Sequence, residues 1–234
     1  MYFAQIMAGG IGKRMGNTPM PKQFLMLGDR PIIIHTLEKF ILQSEFEKII
    51  VSCPAMWIQH AEDTIKKYLS DSRIVVIEGG KERNDTLMAA ITYIEANYEV
   101  QDDDVLVTHD AVRPFVTKRI IEDNMKAAVE YGAVDTGVPA FDTIVRVQNE
   151  EVVDIPNRNE MYQGQTPQTF KINIFKRAFN SLTDEQKLVL PDSCRVCFLA
   201  GEKVAMIQGG QENMKVTTPH DLKIANALLE ARNQ

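Results

Sequence analysis

The residues best suited to chemistry stand close together near the start of the chain. MAGGIGKRMG at 7–16 and PKQF at 21–24 set Gly9, Gly10 and Gly12 within a few positions of Arg14 and Lys22. Glycine lets the backbone approach a ligand, and successive amides can bind phosphate oxygens. Two cations beside such a loop add charge for a polyphosphate. The loop also follows an apolar run that reads as a strand, a usual setting for such a site. Alone, the pattern equally describes a tight loop with solvated charges. It lacks G-x-x-x-x-G-K-[ST], so it is not the P-loop of ATPases and GTPases. It also lacks G-x-G-x-x-G opening a helix with an acidic residue about 20 positions on, which disfavours an NAD-dependent oxidoreductase.

Further candidates follow along the chain. In GGKERNDT at 79–86, Gly80 permits close approach to a base or ribose, and Thr86 brings a hydroxyl to a helix start, which favours anions. A capping Thr in an ordinary strand-to-helix turn fits as well. Asp110 in THDAVRPF at 108–115 ends a predicted strand and either offers an oxygen to Mg²⁺ or pairs with Arg113. Cys194 and Cys197 have C-x-x-C spacing, but no βαβ start precedes them and no second pair completes a zinc site, so they read as half-buried thiols. His35, His60, His109 and His220 are scattered, which argues against an imidazole metal centre.

Composition narrows the classes. With 26 basic and 32 acidic residues the net charge is -6, the wrong sign for nucleic-acid binding through bulk electrostatics. Three cysteines do not make a disulfide framework and fit a reducing cytosol. The apolar start MYFAQIMAGG is too short for a signal peptide, and no stretch approaches the roughly 20 apolar residues that span a bilayer. A cytoplasmic protein without membrane contact is expected.

The elements that position these residues alternate. Strands are predicted at 2–7, 48–53, 74–77, 105–108 and 133–139. Helices are predicted near 33–41, 55–69, 83–96, 118–131 and 172–179, with a last helix opened by Thr218 as N-cap and Pro219. This order implies an α/β fold, a doubly wound and mostly parallel sheet covered on both faces, as one domain over 1–234. Residues 142–163 break the rhythm: 143–147 and 151–155 look like a hairpin inserted as an arm.

The pattern G-G-x-G-x-R-M with P-K-Q resembles the signature of sugar-nucleotide pyrophosphorylases and their cytidylyltransferase relatives. GGKERNDT, THDAVRPF, YQGQTPQTF at 162–170 and NMKVTTPHDL at 213–222 continue the match through the chain. The likeness is to the group that acts on 2-C-methyl-D-erythritol 4-phosphate or ribitol 5-phosphate, and PNRNEMYQGQTPQTF resembles the ribitol branch of wall teichoic acid synthesis. Pro191 stands before Asp192 where relatives often carry Thr, which puts one polyol contact in doubt.

The resemblance implies a Rossmann-like nucleotidyltransferase fold, with CMP passing from CTP to a polyol phosphate and pyrophosphate released. It implies catalytic roles for Arg14 and Lys22, and CTP contacts from Met7, Ala8, Gly9, Gly10, Gly12, Gly80, Lys81, Arg83, Thr86 and Asp110. It further implies acceptor-phosphate contacts from Arg113, Thr143, Arg158 and Lys215, with Mg²⁺ on Asp110 and Asn213 as a weaker second ligand. The arm would cross to a second subunit in a homodimer, and a reductase could supply the acceptor. Against these stands a nucleotide-sensing module without catalysis, which would not need Arg14 and Lys22 together.

Overall fold

The computed structural model describes residues 1–10, 15, 20–188, 190 and 192–232. The chain runs β1 (Tyr2–Met7), β2 (Met26–Leu27), β3 (Arg30–Pro31), α1 (Ile32–Ile41), β4 (Phe46–Cys53), α2 (Ile58–Tyr68), β5 (Ile74–Glu78), α3 (Arg83–Asn97), β6 (Val105–Asp110), α4 (Lys118–Tyr131) and β7 (Ala133–Pro139). It continues through β8 (Arg146–Gln148), β9 (Glu151–Asp154), β10 (Tyr162–Lys171), α5 (Ile172–Ser181), α6 (Asp184–Leu188), α7 (Cys194–Leu199), β11 (Ala205–Gln208) and α8 (Pro219–Arg232).

Seven strands form one sheet in the order β11-β7-β10-β6-β1-β4-β5. β1 runs parallel to β4 and β6, β5 is parallel to β4, and β11 is parallel to β7. β10 is antiparallel to both β6 and β7, so it alone opposes the common direction. The expected doubly wound, mostly parallel sheet is therefore present. Apolar residues alternate across it: Ala4 and Ile6 face a cluster with α1, α2 and α4, while Phe3 faces α3, α5 and α7. Two-sided burial explains the nearly continuous apolar runs that made these strands legible.

The sequence reading differs from the structure in several places, among them the short elements β2, β3, α6, α7 and β11, which it does not predict. The helix expected from 55 begins as a 3-10 turn, Ala55–Trp57, and becomes α-helical at Ile58. The arm is narrower than 142–163: its hairpin is β8–β9, and Tyr162 and Gln163 already belong to β10. β10 itself carries no apolar signal, because Gln165, Thr166, Gln168 and Thr169 are buried polar residues bonded within the core. Pro167 further disguises it, since proline is rare inside central strands, and the register with β7 shifts between Gln165 and Thr169.

α8 starts as expected. Thr218 Oγ1 accepts the Asp221 N–H (3.2 Å), and Asp221 Oδ2 accepts the Thr218 N–H (2.8 Å), a reciprocal cap. Ala225 then packs with Leu27, Ile32, Val112 and Phe115, tying the helix to the β2–β3 turn. No helix among the described residues is long and apolar enough to cross a membrane.

Candidate functional site

The chain leaves β1 toward β4 and β5 on one side and returns to β6 on the other, so the carboxyl ends of β1 and β6 flank a switch point. Met7 stands level with Asp110 across the β1–β6 ladder. A cleft of about 280 Å³ opens there, lined by Met7, Gly9, Gly10 and Lys22 from the first loop. Gly80, Lys81, Arg83 and Thr86 line it from the start of α3, and Asp110 and Lys215 line it as well. Gly12 and Arg14 lie outside the described residues.

The glycines serve different ends. A Cβ on Gly9 would meet nothing within 4 Å, so its bare backbone leaves the cleft open. A Cβ on Gly80 would fall 2.3 Å from the Asp85 Cβ and 2.8 Å from the Thr86 nitrogen, so the helix start itself demands glycine there. Thr86 is not the cap of α3: Glu82 is, in a capping box with Asp85, and the Thr86 hydroxyl donates back to the Glu82 carbonyl (2.9 Å). Ala8 does not line the cleft. It is buried, its amide donates to Ser52 O and its carbonyl accepts from Gln23 Nε2 at 2.6 Å.

Asp110 organises the cations. Its Oδ1 accepts from Arg83 Nη1 at 2.8 Å, while Oδ2 meets Lys215 Nζ at 2.9 Å and Arg113 Nε at 3.3 Å. Burial alone would raise its pKa, but Arg83, Lys215 and Arg113 outweigh burial and hold the carboxyl well below the usual carboxylate range. Asp110 thus pairs with Arg113, one of the two sequence alternatives, and with Arg83 and Lys215 as well.

The backbone beneath is fixed from behind. Thr166 Oγ1 accepts the Asp110 N–H at 3.1 Å and meets His109 Nδ1 at 2.9 Å, while His109 Nε2 meets the Arg113 carbonyl at 3.1 Å. A neutral imidazole protonated at Nε2 satisfies all of these contacts. Burial lowers the His109 pKa to about 4, which keeps it neutral.

A magnesium ion fits Asp110 only as a single contact. Three of the roughly four acceptor positions of the carboxylate are filled, leaving one on Oδ1. That is compatible with Mg²⁺, which takes one or two carboxylates and draws its other ligands from phosphates and water. Asn213 does not line this cleft. Its Nδ2 donates to Thr166 O (2.8 Å) and Gln165 Oε1 (3.1 Å), so it braces β10 instead.

Arg113 lines a second, adjacent cleft of about 460 Å³, together with Phe141, Gln163, Gln165 and Gln211. Lys215 lines both clefts and so joins them. Thr143 and Arg158 line neither: both are exposed on the arm, where Arg158 Nη1 donates to the Phe141 carbonyl at 3.1 Å. Sequence reasoning missed Gln23, which lines the first cleft and ties the PKQ segment to the end of β1. It also missed the Thr166–His109 support, although both residues lie in segments it had singled out. A buried hydrogen bond between distant segments leaves no periodicity to read.

The comparisons with known proteins agree with this geometry. A family profile described as 2-C-methyl-D-erythritol 4-phosphate cytidylyltransferase, IspD, matches residues 3–231. A ribitol-5-phosphate cytidylyltransferase from Lactiplantibacillus plantarum is 60% identical over 233 residues, covering 100% of each chain. A solved 4-diphosphocytidyl-2C-methyl-D-erythritol synthase from Anaerococcus prevotii superposes with a TM-score of 0.81 at 26% identity, covering 98% of this chain and 96% of that one. The Francisella tularensis 2-C-methyl-D-erythritol 4-phosphate cytidylyltransferase gives 0.80 at 28% identity, covering 97% and 98%. With its switch-point cleft and a match that runs nearly end to end, the chain belongs to the IspD family of cytidylyltransferases.

Proposed function

We propose that the chain transfers CMP from CTP to ribitol 5-phosphate, giving CDP-ribitol and pyrophosphate. The observation that carries the reading is the joining of the two clefts by Lys215, beside an acceptor cleft rich in glutamine carboxamides. Carboxamides donate and accept, which suits the hydroxyls of a linear polyol. The choice of ribitol rests on the full-length relative at 60% identity.

In this reading an oxygen of the acceptor phosphate attacks the α-phosphorus of CTP. The new P–O bond forms as the α–β anhydride bond breaks, and pyrophosphate leaves with the electron pair. A phosphate monoester carries about -1.5 to -2 charge near neutral pH, so the nucleophile needs no general base. Lys22 and Arg14 stabilise charge developing around the α-phosphate, and Gly9 and Gly10 admit the triphosphate to the backbone. Gly80, Lys81, Arg83 and Thr86 border the nucleotide, while Lys215 and Arg113 orient the acceptor phosphate. Mg²⁺, when bound, neutralises charge on the phosphate oxygens, and Asp110 is the residue that would hold it.

A homodimer built through the arm completes the reading. Val145, Val147, Val152, Val153 and Ile155 are all exposed on this one hairpin, an apolar surface that a second copy would cover. Arg158 and Thr143 would then serve the partner's acceptor site. Free, buried cysteines suit a cytoplasmic setting, where CDP-ribitol would feed teichoic acid assembly and a reductase could supply the acceptor.

The test is pyrophosphate release with purified protein over a panel of nucleotides and acceptors. CTP with ribitol 5-phosphate should exceed UTP, ATP or GTP with the same acceptor, and should exceed CTP with 2-C-methyl-D-erythritol 4-phosphate. Preference for methylerythritol phosphate would move the chain to the isoprenoid branch. Binding of CTP without release of pyrophosphate would make it a sensing module.

A further inference from the structure

Lys215 stands on a segment with no helix or strand of its own. Between β11 and α8 the chain runs as turn and coil, and it brings Gln211, Met214 and Lys215 to the wall of the second cleft. Such a segment takes its shape from whatever partners its backbone groups find.

Gln165 of β10 supplies several of them. It is 8% exposed, and its Nε2 donates to the Gly210 carbonyl at 2.8 Å. Its Oε1 accepts from the Gly210 N–H at 3.3 Å and from Asn213 Nδ2 at 3.1 Å. A Cβ on Gly209 would lie 2.4 Å from the same Oε1, so the chain beside the carboxamide is packed against it.

Asn213 carries the constraint onward. Its Nδ2 also donates to the Thr166 carbonyl at 2.8 Å, and its own carbonyl accepts from Arg113 Nη1 at 2.7 Å. Two residues later Lys215 Nζ meets Asp110 Oδ2 at 2.9 Å, and the Val216 N–H then donates to the Val112 carbonyl at 2.9 Å. The segment is thus pinned on both sides of Lys215. Gln165 itself lines the second cleft, but three of the roughly four hydrogen-bonding positions of its carboxamide are taken by Gly210 and Asn213.

We propose that Gln165 is a positioning residue for the transfer reaction: it holds the 210–213 turn against β10 and so sets where Lys215 meets the acceptor phosphate. This rests on the reading of the second cleft as the acceptor site. Lys215 is a flexible side chain whose reach is fixed only as well as its backbone is, and Gln165 is the side chain that bonds the turn at both Gly210 and Asn213.

The test compares acceptor kinetics in the full-length protein, followed by pyrophosphate release. Gln165→Met keeps the length of the side chain and removes its hydrogen bonds. It should raise the acceptor KM on the order of tenfold, short of the roughly 10²-fold that a full 1 Å misplacement costs, and change kcat by less than about threefold. A purely structural loss would lower the active fraction, and hence kcat, and leave KM alone. Gly209→Ala crowds the carboxamide from the other side with Gln165 still in place, and should raise the same KM. Because Gln165 acts through Lys215, adding Gln165→Met to Lys215→Ala should lower kcat/KM for the acceptor by less than about twofold further. An acceptor KM unchanged in both single variants overturns the proposal. So does a Gln165→Met effect of equal size with and without Lys215. The acceptor used is whichever phosphate the unaltered protein turns over best, so a wrong choice of polyol shows in the unaltered protein and leaves the comparison of variants intact. No pyrophosphate release from the unaltered protein with any acceptor overturns the underlying reading and the proposal with it.

Discussion

At the scale of single residues, His109 and Asp135 work against each other as pH changes. Burial lowers the His109 pKa from its ordinary 6.5 to about 4, so its contribution to stability is complete above 6.5 and is lost as pH falls through about 4. Asp135 is raised from 3.8 to about 6, so its contribution is complete below 3.8 and is lost as pH rises through about 6. Each shift corresponds to about 3 kcal/mol at most, and between pH 4 and 6 the two nearly cancel. Asp135→Asn removes one side of that balance. The variant should be more stable than the parent at about pH 8, by up to about 3 kcal/mol, and no more stable near pH 4. Urea midpoints at several pH values check this. An equal difference at every pH would mean that the Asp135 carboxyl does not titrate across this range.

At the scale of elements, the β8–β9 hairpin is a legible insertion with a strained turn. Its two-residue loop, Asn149 and Glu150, has φ of 49° and 66°, the left-handed pair of a type I′ turn. Asparagine tolerates this conformation, and glycine is the residue such turns favour next to it. Glutamate carries a Cβ penalty there. Glu150→Gly should therefore stabilise the hairpin by up to about 1 kcal/mol and slow hydrogen exchange at β8 and β9 amides, without changing protection in β1 or β6. Faster exchange in the hairpin would show that the Glu150 side chain contributes more than its backbone costs. The same turn explains why the arm could be read from sequence: Val145 and Val147 precede a polar tip, and Val152, Val153 and Ile155 follow it.

At the scale of the whole molecule, the proposed function requires that each site take Lys22 from one chain and Arg158 from another. Lys22→Ala should lower kcat by a factor on the order of 10² to 10³, the usual loss for one preorganised donor to a developing anion. Arg158→Ala should raise the acceptor KM, because Arg158 would position the acceptor phosphate. When the two variants are mixed after reversible dissociation, random pairing makes about half the dimers mixed, with one intact site in each. At acceptor concentrations far below the raised KM, where Arg158→Ala alone is nearly inactive, activity should recover to roughly a quarter of the parent level. If mass measurement confirms exchange and activity stays at the level of the single variants, Arg158 acts in its own chain or not at all.

The sequence by itself determined the α/β alternation, the hairpin and most of the cleft. Buried strands and helix faces repeat apolar residues at short range, and the glycine-rich loop, Gly80, Asp110 and Lys215 stand in compact motifs. Tertiary structure alone decided how these residues are shared. It gave Asp110 three cations, one of them Lys215 from 105 positions away, put Arg113 in the adjacent cleft, and made Gly80 answer to Asp85. It also made a central strand of β10, whose buried polar residues look like a loop until their partners on β6 and β7 are known. Cys194 shows the difference most clearly, because the spacing to Cys197 drew attention while its chemical neighbours are Asp135 and Asp192. Short-range patterns record which face of an element is apolar. Hydrogen bonds and charge pairs between distant segments depend on where the sheet brings those segments together, and no local repeat encodes that.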